Sequence, residues 1–176
     1  NIPFIGVNHL EGHALTARLT ENIDYPFLLL LVSGGHTNFY FIKKVNKYYY
    51  LGGTLDDAVG EAFDKVANIL ELGFPGGPNI EKLAEKGNDS LISLPKPLIK
   101  KNNLDLSFSG LKTAVLHIIK NKSKNDFFSS ADIAASFQKA ISDILCKKIA
   151  IAIGITNEKK VNYKNVVIAG GVAANK

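Results

Sequence analysis

Apolar and polar positions alternate in blocks that each fit one kind of element. Phe27, Leu28, Leu29, Leu30, Leu31 and Val32 run without a polar break, long enough for a strand buried on both faces and short for a helix. They stop at Ser33-Gly34-Gly35, a turn signal, and two further β-rich runs follow, 38–42 and 48–51. The period then changes. Val59, Ala62, Phe63, Val66, Ile69 and Leu70 recur at helical spacing and predict an amphipathic helix, with Thr54 and Asp57 in capping-box form before it. Gly73 to Pro78 reads as a stop and restart, with Pro78 at the first helical position and a short helix over 79–86. Residues 88–107 read as a loop. A helix over 111–119, a Lys-rich linker over 120–125 and a long helix opened by Ser129 and Asp132 follow. Ile133, Phe137, Ile141, Leu145 and Ile149 give the long helix a persistent apolar face. Residues 165–169 predict a last buried strand, then a Gly170-Gly171 turn and the start of another helix. At the other end, 4–8 reads as a short strand before a helix capped by Asn8. Strands interleaved with helices place the chain in the α/β class.

Composition narrows the class. At 176 residues, 46% hydrophobic and 21% charged, the chain fits a globular unit with a sizeable core. No apolar run is long enough to span a bilayer, so no membrane partner is expected, and the lone Cys146 excludes a disulfide framework. Net charge is +5, but of 21 Lys and Arg residues only Arg18 is arginine, a skew that weakens charge alone as a sign of nucleic acid. The chain holds no Met, and its last strand and Gly turn fall just before Lys176. Both are read as marks of a piece of a longer protein.

Four groups of residues carry candidate chemistry. Glycines at the end of a buried strand leave backbone N–H groups able to form an anion-binding concavity, although a plain hairpin turn has the same pattern. His9 and His13, four apart, share one helix face, as two ligands of Zn(II) or Fe(II) would. Spacing alone favours an ordinary surface pair over a metal site, and Glu11 lies off that face, so the His-Glu-x-x-His protease arrangement is absent. Asp57, Gly60, Glu61 and Asp64 form an acidic helix face. Gly60 in mid-helix costs about 1 kcal/mol relative to Ala, which makes sense where something approaches the backbone closely. The helix start after Gly76-Gly77 is a second surface for a nucleotide.

Six segments occur together in order: Val-Asn-His-Leu-Glu-Gly-His (7–13), Leu-Val-Ser-Gly-Gly-His-Thr (31–37), Gly-Glu-Ala-Phe-Asp-Lys (60–65), Pro-Gly-Gly-Pro (75–78), Phe-Ser-Gly-Leu-Lys-Thr (108–113) and Ala-Gly-Gly-Val-Ala-Ala-Asn (169–175). As a set they resemble the tRNA threonylcarbamoyladenosine transferases, once labelled O-sialoglycoprotein endopeptidases, over essentially the whole chain. The resemblance implies the fold of actin-like ATPases, sugar kinases and heat-shock chaperones: two ribonuclease-H-like α/β lobes around a nucleotide cleft, here incomplete. Residues 1–26 would be the end of the first lobe with the metal-binding helix. Residues 27–176 would be the second lobe, truncated at its C-terminal end.

The resemblance also implies roles. His9 and His13 would be ligands of one metal per subunit, usually Fe(II) with Zn possible, the third protein ligand being an Asp outside this chain. Leu31, Val32, Ser33, Gly34 and Gly35 would hold the phosphate and acyl part of the substrate. Asp64 and Gly77 would contact the nucleoside, Glu81 the ribose, and Asn175 the ligand from the last Gly loop. The implied reaction moves the threonylcarbamoyl group from threonylcarbamoyl-adenylate to the adenosine next to the anticodon (position 37) of tRNAs reading codons that begin with A. AMP leaves, and the metal polarises the attacked carbonyl. Companion proteins of the transfer complex and a cytoplasmic location go with this. An O-carbamoyltransferase of a small molecule or protein shares the metal pair and carbamoyl-adenylate chemistry. A non-catalytic scaffold subunit of the same fold is the alternative from another class, against which the two histidines speak.

Overall fold

The apolar run becomes β1 (Phe27–Val32), buried at all six positions. Its continuity follows from being covered on both faces. Leu28, Leu30 and Val32 enter the main core with Phe39, Phe63, Phe137 and Ile141. Phe27, Leu29 and Leu31 face the other way, against Ile42, Val167 and Ala14. The computed structural model describes residues 2–123 and 127–176; positions 124 and 125 of the expected 120–125 linker lie outside them.

Antiparallel β2 (Thr37–Lys44) and β3 (Lys47–Gly53) extend the sheet on one side of β1, and β4 (Asn165–Ala169) pairs parallel to β1 on the other. The order is β3-β2-β1-β4, a mixed four-stranded sheet, and five α-helices accompany it among the described residues. The fold class is therefore mixed α/β. β4 departs from the expected buried strand. Only Val167 is covered, while Val166 and Ile168 stay 38% and 50% exposed, because β4 is an edge strand with one neighbour. The element after Gly170 is a four-residue 3-10 turn, Gly171–Ala174.

One face of the sheet carries α2 (Val59–Ile69), α3 (Gly76–Ala84), α4 (Ser109–Lys120) and α5 (Ser130–Glu158). The stripe expected for α2 is the one buried, and its Phe63 meets Phe137 of α5 edge to face at 5.1 Å. The capping expected at its start is not formed. The helix begins at Val59, and Thr54 Oγ1 instead donates to Asp57 O. Thr37, fully buried on β2, supplies the cap: Val59 N donates to its Oγ1 at 2.8 Å. Likewise α3 begins at Gly76, not at Pro78, with Asp64 Oδ1 accepting from Gly76 N at 2.8 Å. The Ser129–Asp132 capping box of α5 is present as expected.

Residues 88–107 form no helix or strand, and two sets of polar contacts, one buried and one at the surface, hold them. Lys148 of α5 is fully buried and donates to Lys101 O and Asn103 O at 3.1 and 2.9 Å, which satisfies its ammonium inside the core. Asp56 accepts from Phe108 N, Ser109 N and both serine hydroxyls, Ser107 and Ser109, tying the β3–α2 connection to the start of α4. Burial alone would raise the Asp56 carboxyl, but those four donors outweigh it and pull it down to about 2.

On the other face lies α1 (His9–Thr20), capped by Asn8 Oδ1 as expected. Ala14 is its buried contact, and Glu11 accepts from Tyr48 OH at 2.7 Å, linking it to β3. Residues 4–8 are not a strand: they join no β-ladder among the described residues, and Phe4, Ile5 and Val7 are exposed.

Candidate functional site

The carboxyl ends of the two parallel strands, β1 and β4, carry the site. Brought side by side there, their glycine turns cross closely. A Cβ on Gly170, whose φ is +107°, would lie 2.1 Å from Val32 O, so only glycine fits the crossing. Below the first turn runs α2, and its Gly60 is the close approach that the mid-helix glycine suggested. A Cβ there would meet Gly34 Cα and Ser33 O at 2.7 Å, and Gly60 N donates to Ser33 O at 3.2 Å. The partner that presses on Gly60 is thus the Ser33-Gly34 backbone itself.

The turn is tight. Ser33 N donates to His36 O at 2.8 Å and His36 N to Ser33 Oγ at 3.1 Å. Gly34 and Gly35 stand exposed at its tip, and among the described residues their amides have no acceptor. Two adjacent free N–H groups are what an anion-binding concavity requires. The first amides of α2 are not part of it, since Thr37 Oγ1 and Ser33 O take them.

Gly34, Asp64, Gly77, Glu81 and Asn175 line one cavity of about 300 Å³, whose wall also includes Phe63 and Gly60 of α2, Phe74 and Pro75 before α3, and Gly171 and Val172 of the last turn. These five residues lie up to 141 positions apart in sequence (175 − 34). The other turn residues expected to hold substrate are placed differently: Leu31, Val32 and Ser33 are buried behind the turn, and Gly35 sits on its exposed tip. Two carboxylates and no cationic side chain line the cavity, a set that accepts hydrogen bonds from hydroxyl or amine groups. Asp64 spends Oδ1 on Gly76 N. Glu81 Oε2 accepts from Asn175 Nδ2 at 2.9 Å. Each keeps its other oxygen.

The acidic face of α2 compensates itself. Lys65 reaches Asp57 at 2.6 Å and Glu61 at 2.8 Å, leaving Asp64 apart from that pair, at the cavity. His9 and His13 do lie side by side, with Nε2 atoms 2.9 Å apart and ring centroids 4.7 Å apart. They do not line the cavity. Their link to the turn is His36, whose ring stands edge-on to His9 at 6.2 Å. Sequence reasoning gave His36 no role, although it closes the Ser-Gly-Gly-His-Thr segment; a third imidazole beside a His pair was the available signal. Among the described residues, no three His, Cys, Asp or Glu side chains gather closely enough to form a complete donor group.

Residues 1–176 match the family model TsaD, tRNA N6-adenosine threonylcarbamoyltransferase. The chain belongs to that family. It is 58% identical over 177 aligned residues to the tRNA N6-adenosine threonylcarbamoyltransferase of Rickettsia massiliae (strain Mtu5), covering 99% of this chain and 51% of the relative. The proteins of the same name from Rickettsia canadensis (strain McKiel) and Rickettsia bellii (strain OSU 85-389) are 58% and 56% identical. These matches cover 99% and 100% of this chain and 52% of each relative. The chain thus spans about half the length of the curated relatives it matches.

Proposed function

We propose that the protein bearing this chain transfers the threonylcarbamoyl group from threonylcarbamoyl-adenylate to the adenosine at position 37 of tRNA, and that the Asp64–Glu81 cavity holds the nucleoside. The observation that carries this is the convergence of Gly34, Asp64, Gly77, Glu81 and Asn175 on one cavity. The free oxygens of Asp64 and Glu81 are acceptors suited to ribose hydroxyls. The Gly34 and Gly35 amides at its mouth suit the phosphate, and with it the adjoining acyl group. The nucleoside is then fixed by neutral and acidic groups and the phosphate by backbone, so the carbamoyl carbon points out of the cavity toward the turn. There the incoming adenosine amine has access, and AMP leaves along the cavity.

The His9–His13 pair fits an Fe(II) or Zn(II) ion chemically: the two imidazole nitrogens, 2.9 Å apart in a hydrogen-bond contact, need part by only about 0.4 Å to reach the roughly 3.3 Å spacing of two ligands on one tetrahedral metal. In this reading His9 and His13 hold the metal, and an Asp outside the chain completes the set. When bound, the metal supplies Lewis-acid polarisation of the carbamoyl carbonyl.

The proposal includes the actin-like, two-lobed fold, with residues 1–26 ending the first lobe and 27–176 forming part of the second. The mixed sheet, with its ligand cavity at the ends of parallel strands, supports it. The proposal also includes companion proteins of the transfer complex, and a cytoplasmic site of action to match a tRNA substrate. Among the described residues no helix is long and apolar enough to cross a membrane.

Nucleotide titration of full-length Asp64→Asn tests the cavity. Asn keeps an acceptor for Gly76 N, so α3 stays capped while the charge is lost. AMP affinity should fall about tenfold or more, the share of a charged hydrogen bond in a half-buried site. Unchanged AMP affinity would return Asp64 to a purely structural cap.

A further inference from the structure

The strongest polar group outside the expected site stands behind the cavity. Gln138, on the α5 face that otherwise packs the core, places Oε1 3.3 Å from Asn175 Nδ2. Its own Nε2 donates to Lys176 O at 2.7 Å. These contacts fix the direction of a chain of hydrogen bonds. A carbonyl such as Lys176 O can only accept, so the Gln138 nitrogen faces it and the Gln138 oxygen faces Asn175. The Glu81 carboxylate likewise accepts at 2.9 Å, so Asn175 turns its nitrogen toward both partners. Both hydrogens of the Asn175 amide are then committed, one to Glu81 and one to Gln138. Its Oδ1 is the only part left for a ligand.

Gln138 does not line the nucleoside cavity, whereas Glu81 and Asn175 do. Nor does it belong to any of the six family segments. We infer that Gln138 is a positioning residue: it holds Asn175 in the rotamer that presents a carbonyl acceptor to the cavity, and it leaves Glu81 with one oxygen free for the ligand. Gln138 touches no ligand itself and acts through Asn175. The inference rests on the cavity being a nucleotide site. It adds that Asn175 meets a donor group of that nucleotide, and that α5, otherwise a core helix, sets the site's polarity.

A double-mutant cycle on the full-length protein tests it, with AMP as the probe and calorimetric titration as the readout. Gln138→Leu keeps the bulk but cannot hydrogen-bond; Asn175→Ala removes the acceptor. Each single variant should weaken AMP binding about fivefold to tenfold. The double variant should be no weaker than Asn175→Ala alone, since Gln138 has nothing left to orient. Thermal melting of all variants should differ little, which separates positioning from folding. Normal AMP affinity in Gln138→Leu, alongside a weakened Asn175→Ala, would overturn the role of Gln138 and leave the nucleotide cavity standing. Independent, additive losses would overturn it in the same way. Normal affinity in Asn175→Ala would remove Asn175 from the nucleotide site, and with it both this inference and that part of the proposed function.

Discussion

Gly60 makes the sharpest residue-scale case, because two effects of known size oppose each other there. The structure puts Gly60 in the first turn of α2, not in mid-helix, so the gain from replacing it with alanine is at most the about 1 kcal/mol of an interior position. At this position the new methyl meets backbone atoms of Ser33 and Gly34 at 2.7 Å, and backbone cannot swing aside as a side chain can. Overpacking of this kind costs about 1–3 kcal/mol, so the clash wins. Gly60→Ala in the full-length protein should lower stability in chemical denaturation and weaken AMP binding, because the turn that must shift is the one at the cavity mouth. A more stable variant with normal AMP affinity would show that the turn stands clear of α2. The sequence signalled the need for glycine here, but not its cause. The approaching group is backbone from 26 positions earlier (60 − 34), which no local pattern reveals.

The elements themselves were legible where burial dictates pattern. β1 is continuous because both its faces are covered, α2 keeps its stripe, and the α5 capping box is local in sequence. The elements misread are those governed by distant partners. Thr37 caps α2 from β2, Asp64 caps α3, and β4 is an edge strand that has the same apolar sequence a buried one would have. Asp56 is the distant partner with a measurable signature, since its four hydrogen bonds hold α4 in place. Its carboxyl is depressed to about 2 from the ordinary 3.8. A depressed carboxyl stabilises the fold at any pH above its unfolded value and loses that contribution as pH falls through the folded one. Asp56 is exposed, so screening reduces its share to about 1 kcal/mol. Comparing wild type with Asp56→Asn by denaturation should show that difference at pH 6, shrinking from about pH 4 and gone near pH 2. A difference independent of pH would mean that Asp56 holds α4 by shape alone.

Across the whole molecule, uncovered apolar surface stands beside a well-packed core. Ile2, Phe4, Ile5 and Val7 are 74–96% exposed, and Ile168 of the edge strand is half exposed. Surface of this kind marks contact with other protein. The 176 residues alone should therefore melt at low temperature with poor cooperativity and bind a hydrophobic dye; a sharp, high-melting transition would contradict this. The candidate site is likewise divided. The Asp64–Glu81 cavity is gathered within the chain, whereas the His pair shows two imidazoles and, among the described residues, reaches the turn through His36. The central claim joins the two places in one transfer reaction. Mass-spectrometric assay of threonylcarbamoyladenosine in tRNA tests it most directly, using full-length wild type and His9→Ala with threonylcarbamoyl-adenylate and the companion proteins supplied. Metal content and AMP affinity are measured on the same preparations. His9→Ala should lose bound metal and tRNA modification together while keeping AMP affinity within about twofold, because Asp64, Glu81 and the glycine turn are untouched. Full modification of tRNA by metal-free His9→Ala would contradict the account.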